Sequence, residues 1–256
     1  MVTVNRRSDA LRALLKLSHD LASPTRPLAI LAEGNVSARL NDRTFLVKAS
    51  GSCLATLRRE DVVECRSGPL LELLRRRRAS DAEVTEAMAG SRVVTTAKRP
   101  SVEALFHAWL LTLPGIEFAA HTHAPAVTSL LCSPRAREFA AKRILPDEIV
   151  CCDVESVLVP YTDPGLRLAQ AIRRKTEAFI VRHQRPPRVV LLENHGLITL
   201  GRTPEGVSAS MRMAEKVAGI WLGAAALGGP VFMTPRHVER IARRPDEAIR
   251  RRILKV

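Results

Sequence analysis

The feature that most constrains the fold is the segment Phe118–Pro125, in which an apolar run ends in two histidines two positions apart. On an extended strand, side chains at i and i+2 leave the same face, so His121 and His123 are predicted to direct their rings to one point. Pro125 ends such a strand and suits the first position of a helix. Burying two imidazoles at the end of a strand costs free energy unless their nitrogens have a partner. The simplest partner is a metal ion that prefers nitrogen ligands, and Zn²⁺ is the first candidate. The alternative is a chance pair, one ring in the core and the other in solvent.

A second segment supplies a third histidine. The β-branched and leucine-rich run Arg188–Leu192 leads to His195 and Gly196, and strand character resumes at Ile198. Glycine at this turn permits a close backbone approach or a positive φ. Three protein histidines with an open fourth position are typical of a catalytic rather than a structural zinc site. The sequence therefore predicts a site for Zn²⁺ or another divalent metal, with the ligands His121, His123 and His195.

The hydrophobic pattern predicts an α/β fold. Alternating residues at Val36–Leu40 and Thr44–Lys48, joined by Asn41–Arg43, indicate a hairpin. Glu148–Cys152 and Val157–Val159 also have an extended pattern. Helices are predicted at Val102–Leu113, Leu166–His183 and from Pro204 onward. Because hairpins and helices are mixed, a largely antiparallel sheet is favoured over a doubly wound parallel one.

Length and composition indicate a globular chain. Its 256 residues, 46% of them hydrophobic, suffice for a sizeable core. No internal repeat or clear boundary is visible, so we expect a single domain over residues 1–256, with a core at about 8–230. The basic segment 236–256 is expected to be a loosely docked tail or a terminal helix.

Charge and cysteine usage narrow the function classes. The net charge of +14 suits anionic substrates, while a nucleic-acid binder is disfavoured because the arginines are scattered and the chain has one tyrosine. The dense run Arg75–Arg78 is either a solvated helix end or a functional basic patch. No uninterrupted apolar stretch reaches the roughly 18 residues of a membrane span. Five cysteines form an odd set, with Cys151 and Cys152 adjacent, and residues 1–9 lack the apolar core of a signal peptide. A cytoplasmic setting is expected.

Several polar residues are candidates for chemistry. Glu103 lies at the start of a predicted helix, where any acid compensates the helix dipole. His107 follows four residues later and is interpreted as a packing or hydrogen-bonding residue rather than a ligand. The pairs Gly34-Asn35 and Ser50-Gly51 form loops that can present donors to an anion, although ordinary turn chemistry explains each pair equally well.

Five motifs in order resemble the class II aldolase/adducin family, whose members include zinc-dependent fuculose- and rhamnulose-phosphate aldolases and ribulose-phosphate 4-epimerases. They lie between about residues 34 and 230. The motifs are Gly34-Asn35-Val36-Ser37, Ser50-Gly51, Arg99-Pro100-Ser101-Val102-Glu103, His121-Thr122-His123 and Asn194-His195-Gly196. The resemblance implies a three-layer αβα sandwich around the antiparallel sheet.

The resemblance also implies roles for individual residues. Glu103 takes the place of the family's acid/base glutamate. Asn35, Ser50, Gly51 and Ser101 take the places that hold a substrate phosphate, and Lys48 resembles a lysine of the epimerase branch. Two departures stand out: Val102 replaces a second serine of many phosphate-binding members, and Tyr161, the single tyrosine, matches a different segment from the family's proton donor and is interpreted as structural.

The resulting hypothesis is a zinc-dependent aldolase that cleaves a ketose or ketose phosphate through a metal-stabilised enediolate, with Glu103 moving the proton. The alternatives are an epimerase, dehydratase or decarboxylase with the same metal chemistry, or a non-catalytic adducin-like interaction module. Retention of all three histidines and Glu103 argues against the module. The resemblance further implies a homo-oligomer, most readily a tetramer, and a sugar or sugar phosphate as substrate.

Overall fold

Seven strands form one sheet in the part of the chain that the structure describes. The structure is a computed structural model that describes the backbone of residues 2–25 and 27–256 and the side chains of residues 6–25 and 27–256, so that Met1 and Arg26 fall outside it. The strands are Asn35–Arg39 (β1), Thr44–Lys48 (β2), Val62–Arg66 (β3), Phe118–Thr122 (β4), Val157–Val159 (β5), Val189–Leu192 (β6) and Gly196–Gly201 (β7). Their order is β3-β2-β1-β4-β7-β6-β5, and every neighbouring pair is antiparallel except β5 with β6. The prediction of a largely antiparallel sheet is confirmed.

Helices cover both faces of the sheet. They are Val2–Leu21 (α1), Ser67–Arg75 (α2), Asp81–Ser91 (α3), Ala104–Leu110 (α4), Pro125–Leu131 (α5), Ala136–Ala141 (α6), Pro146–Cys152 (α7), Leu166–His183 (α8), Pro204–Ala225 (α9), Pro235–Arg243 (α10) and Pro245–Leu254 (α11). None of the described helices is both long and apolar enough to cross a membrane.

Two hydrophobic cores separate the three layers. One lies under α1, α5 and α9, with Leu14, Met211 and Trp221 among its buried residues. The other lies under α2, α4 and α8, with Phe106 and Phe179. Each strand contributes side chains to both cores, because the side chains of successive strand residues point to opposite faces of the sheet. In β2, for example, Leu46 contributes to the first core and its two neighbours to the second. The result is the predicted αβα sandwich.

Strand register brings the candidate residues to one end of the sheet. β4 lies between β1 and β7, and His121 is paired with Asn35 on one side and with Ile198 on the other. The β6–β7 hairpin closes where Leu192 pairs with Gly196, which places His195 in the turn between them. The end of β4, the start of β1 and this turn therefore meet.

Two local predictions differ from the structure. Residues 148–152 were expected to be extended but form the end of α7, because Pro146 starts a helix and the Glu148 carboxylate accepts the Ile144 N–H at 3.0 Å. A five-residue apolar run does not distinguish a strand from a buried helix. The helix expected over 102–113 is shorter, since α4 begins at Ala104 and ends at Leu110, with isolated turns on either side.

The two basic segments also become defined. Residues 236–256 form α10 and α11 rather than a loose tail, and Ile241 is buried. Arg250 of α11 pairs with Asp147 of α7 at 2.7 Å. The run Arg75–Arg78 is an exposed helix end, in which Arg76 pairs with neighbouring glutamates.

Candidate active site

The three predicted histidines lie together at the end of β4. Their rings are mutually perpendicular to within about 25°, with each pair of centroids 4.9 Å apart. One ring nitrogen from each lies within 4.8 Å of the other two. His121 is fully buried, while His123 and His195 are partly buried. One small group could therefore be contacted by all three imidazoles at once, and the three histidines with the side chains around them are called the histidine pocket below.

Hydrogen bonds fix which nitrogen of each strand histidine faces the centre. His121 Nδ1 lies 2.9 Å from the carbonyl oxygen of Leu197, and His123 Nδ1 lies 3.1 Å from Glu33 Oε2. Carbonyl and carboxylate oxygens only accept, so both Nδ1 atoms donate and carry the proton. In the neutral rings both Nε2 atoms then have a lone pair, yet they lie 3.1 Å apart.

A cation resolves this contact between two lone pairs. Burial lowers the pKa of His121 to about 3, aided by the nearby His123, and burial beside His121 lowers the pKa of His195 to about 4. His121 and His195 are therefore in the ligand form at neutral pH, since neutral imidazole is the form that binds a metal. Nitrogen ligands about 2.0–2.1 Å from a tetrahedral Zn²⁺ lie roughly 3.3 Å from one another. The 3.1 Å Nε2–Nε2 distance fits such an ion.

Gly196 lets β7 approach the histidine strand. A Cβ atom at this position would lie 2.4 Å from the carbonyl oxygen of Thr122 and 2.9 Å from His123 Cδ2. Gly34 has a similar role on the other side, where a Cβ would lie 2.8 Å from the carbonyl oxygen of His121 and φ is +72°. Both glycines are therefore required by close backbone approach.

Gly196→Ala is expected to destabilise the protein by about 1–3 kcal/mol, the usual range for overpacking, or more, because its Cβ would meet backbone that cannot move alone. Gly219→Ala, in the middle of α9 with nothing near its Cβ, is the matched control and should stabilise by about 0.5–1 kcal/mol. Urea unfolding measures both. Equal stability of the two variants would contradict the close approach of β7 to β4.

Glu103 places a carboxylate against the three rings. It is the residue before α4, and Oε1 lies 3.5 Å from His121 Nε2 and 3.6 Å from His195 Nε2. Asn35 Nδ2 donates to Oε2 and, at 3.2 Å, to Ser101 Oγ. Burial raises the pKa of Glu103, while His195 and the Asn35 bond act in the opposite direction. The carboxylate is held in the same pocket as the three imidazoles.

The predicted anion-binding residues lie around this pocket and differ in their burial and hydrogen bonding. Lys48 is 2% exposed, and its Nζ donates to the carbonyl oxygens of Ala32 at 2.9 Å and Ser52 at 2.5 Å. Burial lowers its pKa. Lys48 thus ties together the two glycine-containing loops. Ser50 and Gly51 are exposed, and the Ser50 N–H already donates to Arg99.

Sequence reasoning missed Glu33, which holds the ring of His123. Its other oxygen, Oε1, accepts the Ile30 N–H at 2.7 Å, so the carboxylate is fixed in the loop before β1. Its position directly before Gly34 was the available signal. His107, interpreted as a packing residue, lies outside the cluster and has Nδ1 2.7 Å from Ser37 Oγ. Tyr161, interpreted as structural, is 60% exposed, and its hydroxyl donates to Asp163 Oδ1 at 3.2 Å.

The chain belongs to the family of class II aldolase and adducin N-terminal domains, whose model matches residues 12–222. It is similar in fold to YgbL of Escherichia coli, described as a candidate aldolase, epimerase or decarboxylase, with a TM-score of 0.68, 19% identity and coverage of 94% of this chain and 98% of that one. An L-fuculose 1-phosphate aldolase gives a TM-score of 0.67 at 19% identity, covering 92% and 95% of the two chains.

A curated relative extends well beyond this chain. The uncharacterized oxidoreductase YuxG of Bacillus subtilis (strain 168) is 29% identical over 180 residues, which are 67% of this chain and 24% of that protein. The chain therefore spans about a quarter of the length of this relative.

Proposed function

We propose that this protein is a divalent-metal-dependent aldolase, zinc being the first candidate, that cleaves a ketose or ketose phosphate. The observation that carries the proposal is the pair of lone-pair nitrogens of His121 and His123 at 3.1 Å, with the Glu103 carboxylate 3.5 Å from one of them. His121, His123 and His195 would hold the metal. A bound divalent cation supplies Lewis-acid polarisation of a carbonyl oxygen and its adjacent hydroxyl.

The residues of the chain then supply positioning and proton transfer. Glu103 acts as a general acid or base. Its Oε1 exchanges a proton with the substrate carbon at which the carbon–carbon bond breaks or forms. The raised pKa of Glu103, caused by burial, suits a group that must both accept and release a proton. Asn35 orients Glu103 through its bond to Oε2, and Lys48 fixes the surrounding loops.

An activity screen tests the reaction type. Ketose phosphates and free ketoses are incubated with the protein and Zn²⁺, and aldehyde release is measured. Inverted stereochemistry without cleavage would instead indicate an epimerase, loss of water a dehydratase and release of CO₂ a decarboxylase. A protein that binds no metal and turns over none of these compounds would be an adducin-like interaction module.

An anionic substrate group is expected to bind near the start of β1, at Asn35, Ser50, Gly51 and Ser101, with Lys48 nearby. Charge-assisted hydrogen bonds contribute about 1.5–3 kcal/mol each, so Ser50→Ala should raise KM for a phosphorylated ketose roughly ten- to a hundredfold. Ser133→Ala, whose hydroxyl bonds the carbonyl oxygen of Leu130, is the control. An unchanged KM in Ser50→Ala, or equal turnover of free and phosphorylated ketoses, would contradict the predicted phosphate site. The predicted metal site would not be affected by either result.

Glu33→Gln is expected to weaken metal binding about tenfold. Outer partners of metal-bound histidines contribute about 10–100-fold to affinity, and glutamine keeps the hydrogen bond but loses the charge. Glu117→Gln changes a carboxylate that pairs with Arg6 and Arg39 beside the start of β4, and should bind metal as the wild type does. Competition with a chromophoric chelator measures the metal affinity of each variant. Equal affinities in Glu33→Gln and Glu117→Gln would show that Glu33 does not contribute to metal binding.

Assembly into a homo-oligomer, most readily a tetramer, stays a prediction from the family resemblance. Light scattering at micromolar concentration tests it.

A further inference from the structure

The C-terminal helices form one wall of a cavity that is distinct from the histidine site. It has a volume of about 840 Å³ and lies between α7, the segment before β6, and α10 with α11. That volume is within the range of small-molecule pockets, about 300–1,000 Å³. Arg188 lines the cavity just before β6 begins, whereas His195 follows the other end of this strand. The cavity and the histidine cluster share no residue.

Two arginines in this cavity lack an acidic partner. Among the described residues, neither Arg188 nor Arg251 forms an ion pair with a carboxylate, and each donates to a backbone carbonyl, Arg188 to Val150 and Arg251 to Ala242 at 3.0 Å. Other cations at the cavity are paired, as Arg185 is with Asp153. Each guanidinium therefore keeps several N–H donors for another acceptor.

Arg188 is buried beside a second cation. Burial lowers the pKa of Arg188; Asp153 acts in the opposite direction, and the charge of Arg251 lowers the pKa by a smaller amount. Two cations that face one cavity repel each other, and the cost rises as water is excluded. A carboxylate or phosphate between them would remove this repulsion and accept paired hydrogen bonds from the planar guanidinium groups.

Of the sixteen other residues that line the cavity, eight are apolar and eight are ionisable. The three acids among them are already paired, Asp153 with Arg185, Glu155 with His183 and Glu239 with Arg243. Ile149, Val154, Phe232, Met233 and Val238 all line the cavity. Apolar residues beside convergent polar groups are a usual feature of a site for a small organic molecule. We propose that this cavity is a second binding site, which takes a small organic anion. Its carboxylate or phosphate head contacts Arg188 and Arg251, and its apolar body contacts the apolar residues of the wall.

Calorimetric titration with octanoate and with octyl phosphate tests the site. Arg251→Gln removes one head-group contact, and Arg252→Gln is the matched control, since Arg252 is the next residue of α11, exposed and outside the cavity. At least one of the two probes should bind to the wild type and to Arg252→Gln, and about tenfold or more weaker to Arg251→Gln. The probe that binds more tightly distinguishes a carboxylate from a phosphate head.

Three results would overturn the proposal. They are the failure of both probes to bind the wild type, equal affinity in Arg251→Gln and Arg252→Gln, and loss of binding in His121→Ala, which would move the anion to the histidine site. Thermal unfolding of each variant excludes a folding defect. Inorganic phosphate binding as tightly as octyl phosphate would contradict the role assigned to the apolar residues of the wall.

Discussion

His121→Ala is expected to lower the affinity for Zn²⁺ by more than about a hundredfold. Loss of a hydrogen-bond partner of a metal-bound histidine alone lowers metal affinity about 10–100-fold. His121→Ala removes the ligand itself together with the hydrogen bond that orients it. His121 also lies close to both other rings, since its Nε2 is 3.1 Å from that of His123 and its ring centroid is 4.9 Å from that of His195. We therefore expect about one metal ion per wild-type chain and almost none per variant chain.

Elemental analysis after dialysis against the same buffer measures both proteins. His237→Ala is the control, because His237 is an exposed residue of α10 and lies outside the cluster. It should keep the wild-type metal content. Equal metal in His121→Ala and in the wild type would eliminate the site, and the contact between two lone pairs would then need a shared proton instead of a cation.

Glu103→Gln is expected to slow proton transfer about 10²–10⁴-fold, the usual contribution of a general acid or base, while the metal content stays unchanged. Glutamine has the same shape and can still bond Asn35, but its amide does not accept a proton from carbon. Exchange of the substrate carbon proton in heavy water measures this step directly. It reports the proton transfer even when cleavage itself is not rate-limiting.

Glu60→Gln provides the control for this substitution, since Glu60 is an exposed residue before β3. Its exchange rate should equal that of the wild type. An unchanged rate in Glu103→Gln would return Glu103 to a structural role at the start of α4, where a negative charge compensates the helix dipole. The proton would then have to move through another group of the pocket.

Sequence periodicity predicted the parts of this site that depend on one strand. His121 and His123 share a face because side chains on a strand repeat every two residues, and the hairpin of β1 and β2 follows from the same alternation. The bond between His123 and Glu33 was not predictable in this way, because it joins residues 90 positions apart. Lys48 was predicted near an anion, yet its three donors are largely used by backbone carbonyls, a state that depends on how two loops close over it.

β4 is an interior strand of the complete sheet, but it has a partner on only one side until β7 has been synthesised. Its partner on one side, β1, precedes it, whereas β7 on the other side follows after roughly 70 further residues. At about 5–20 residues per second, synthesis leaves that side of β4 unpaired for roughly 4–15 s. During this interval the histidine strand is a sheet edge, the element most prone to wrong pairing with other chains. Insertion of β7 ends that exposure and delivers His195 in the same event.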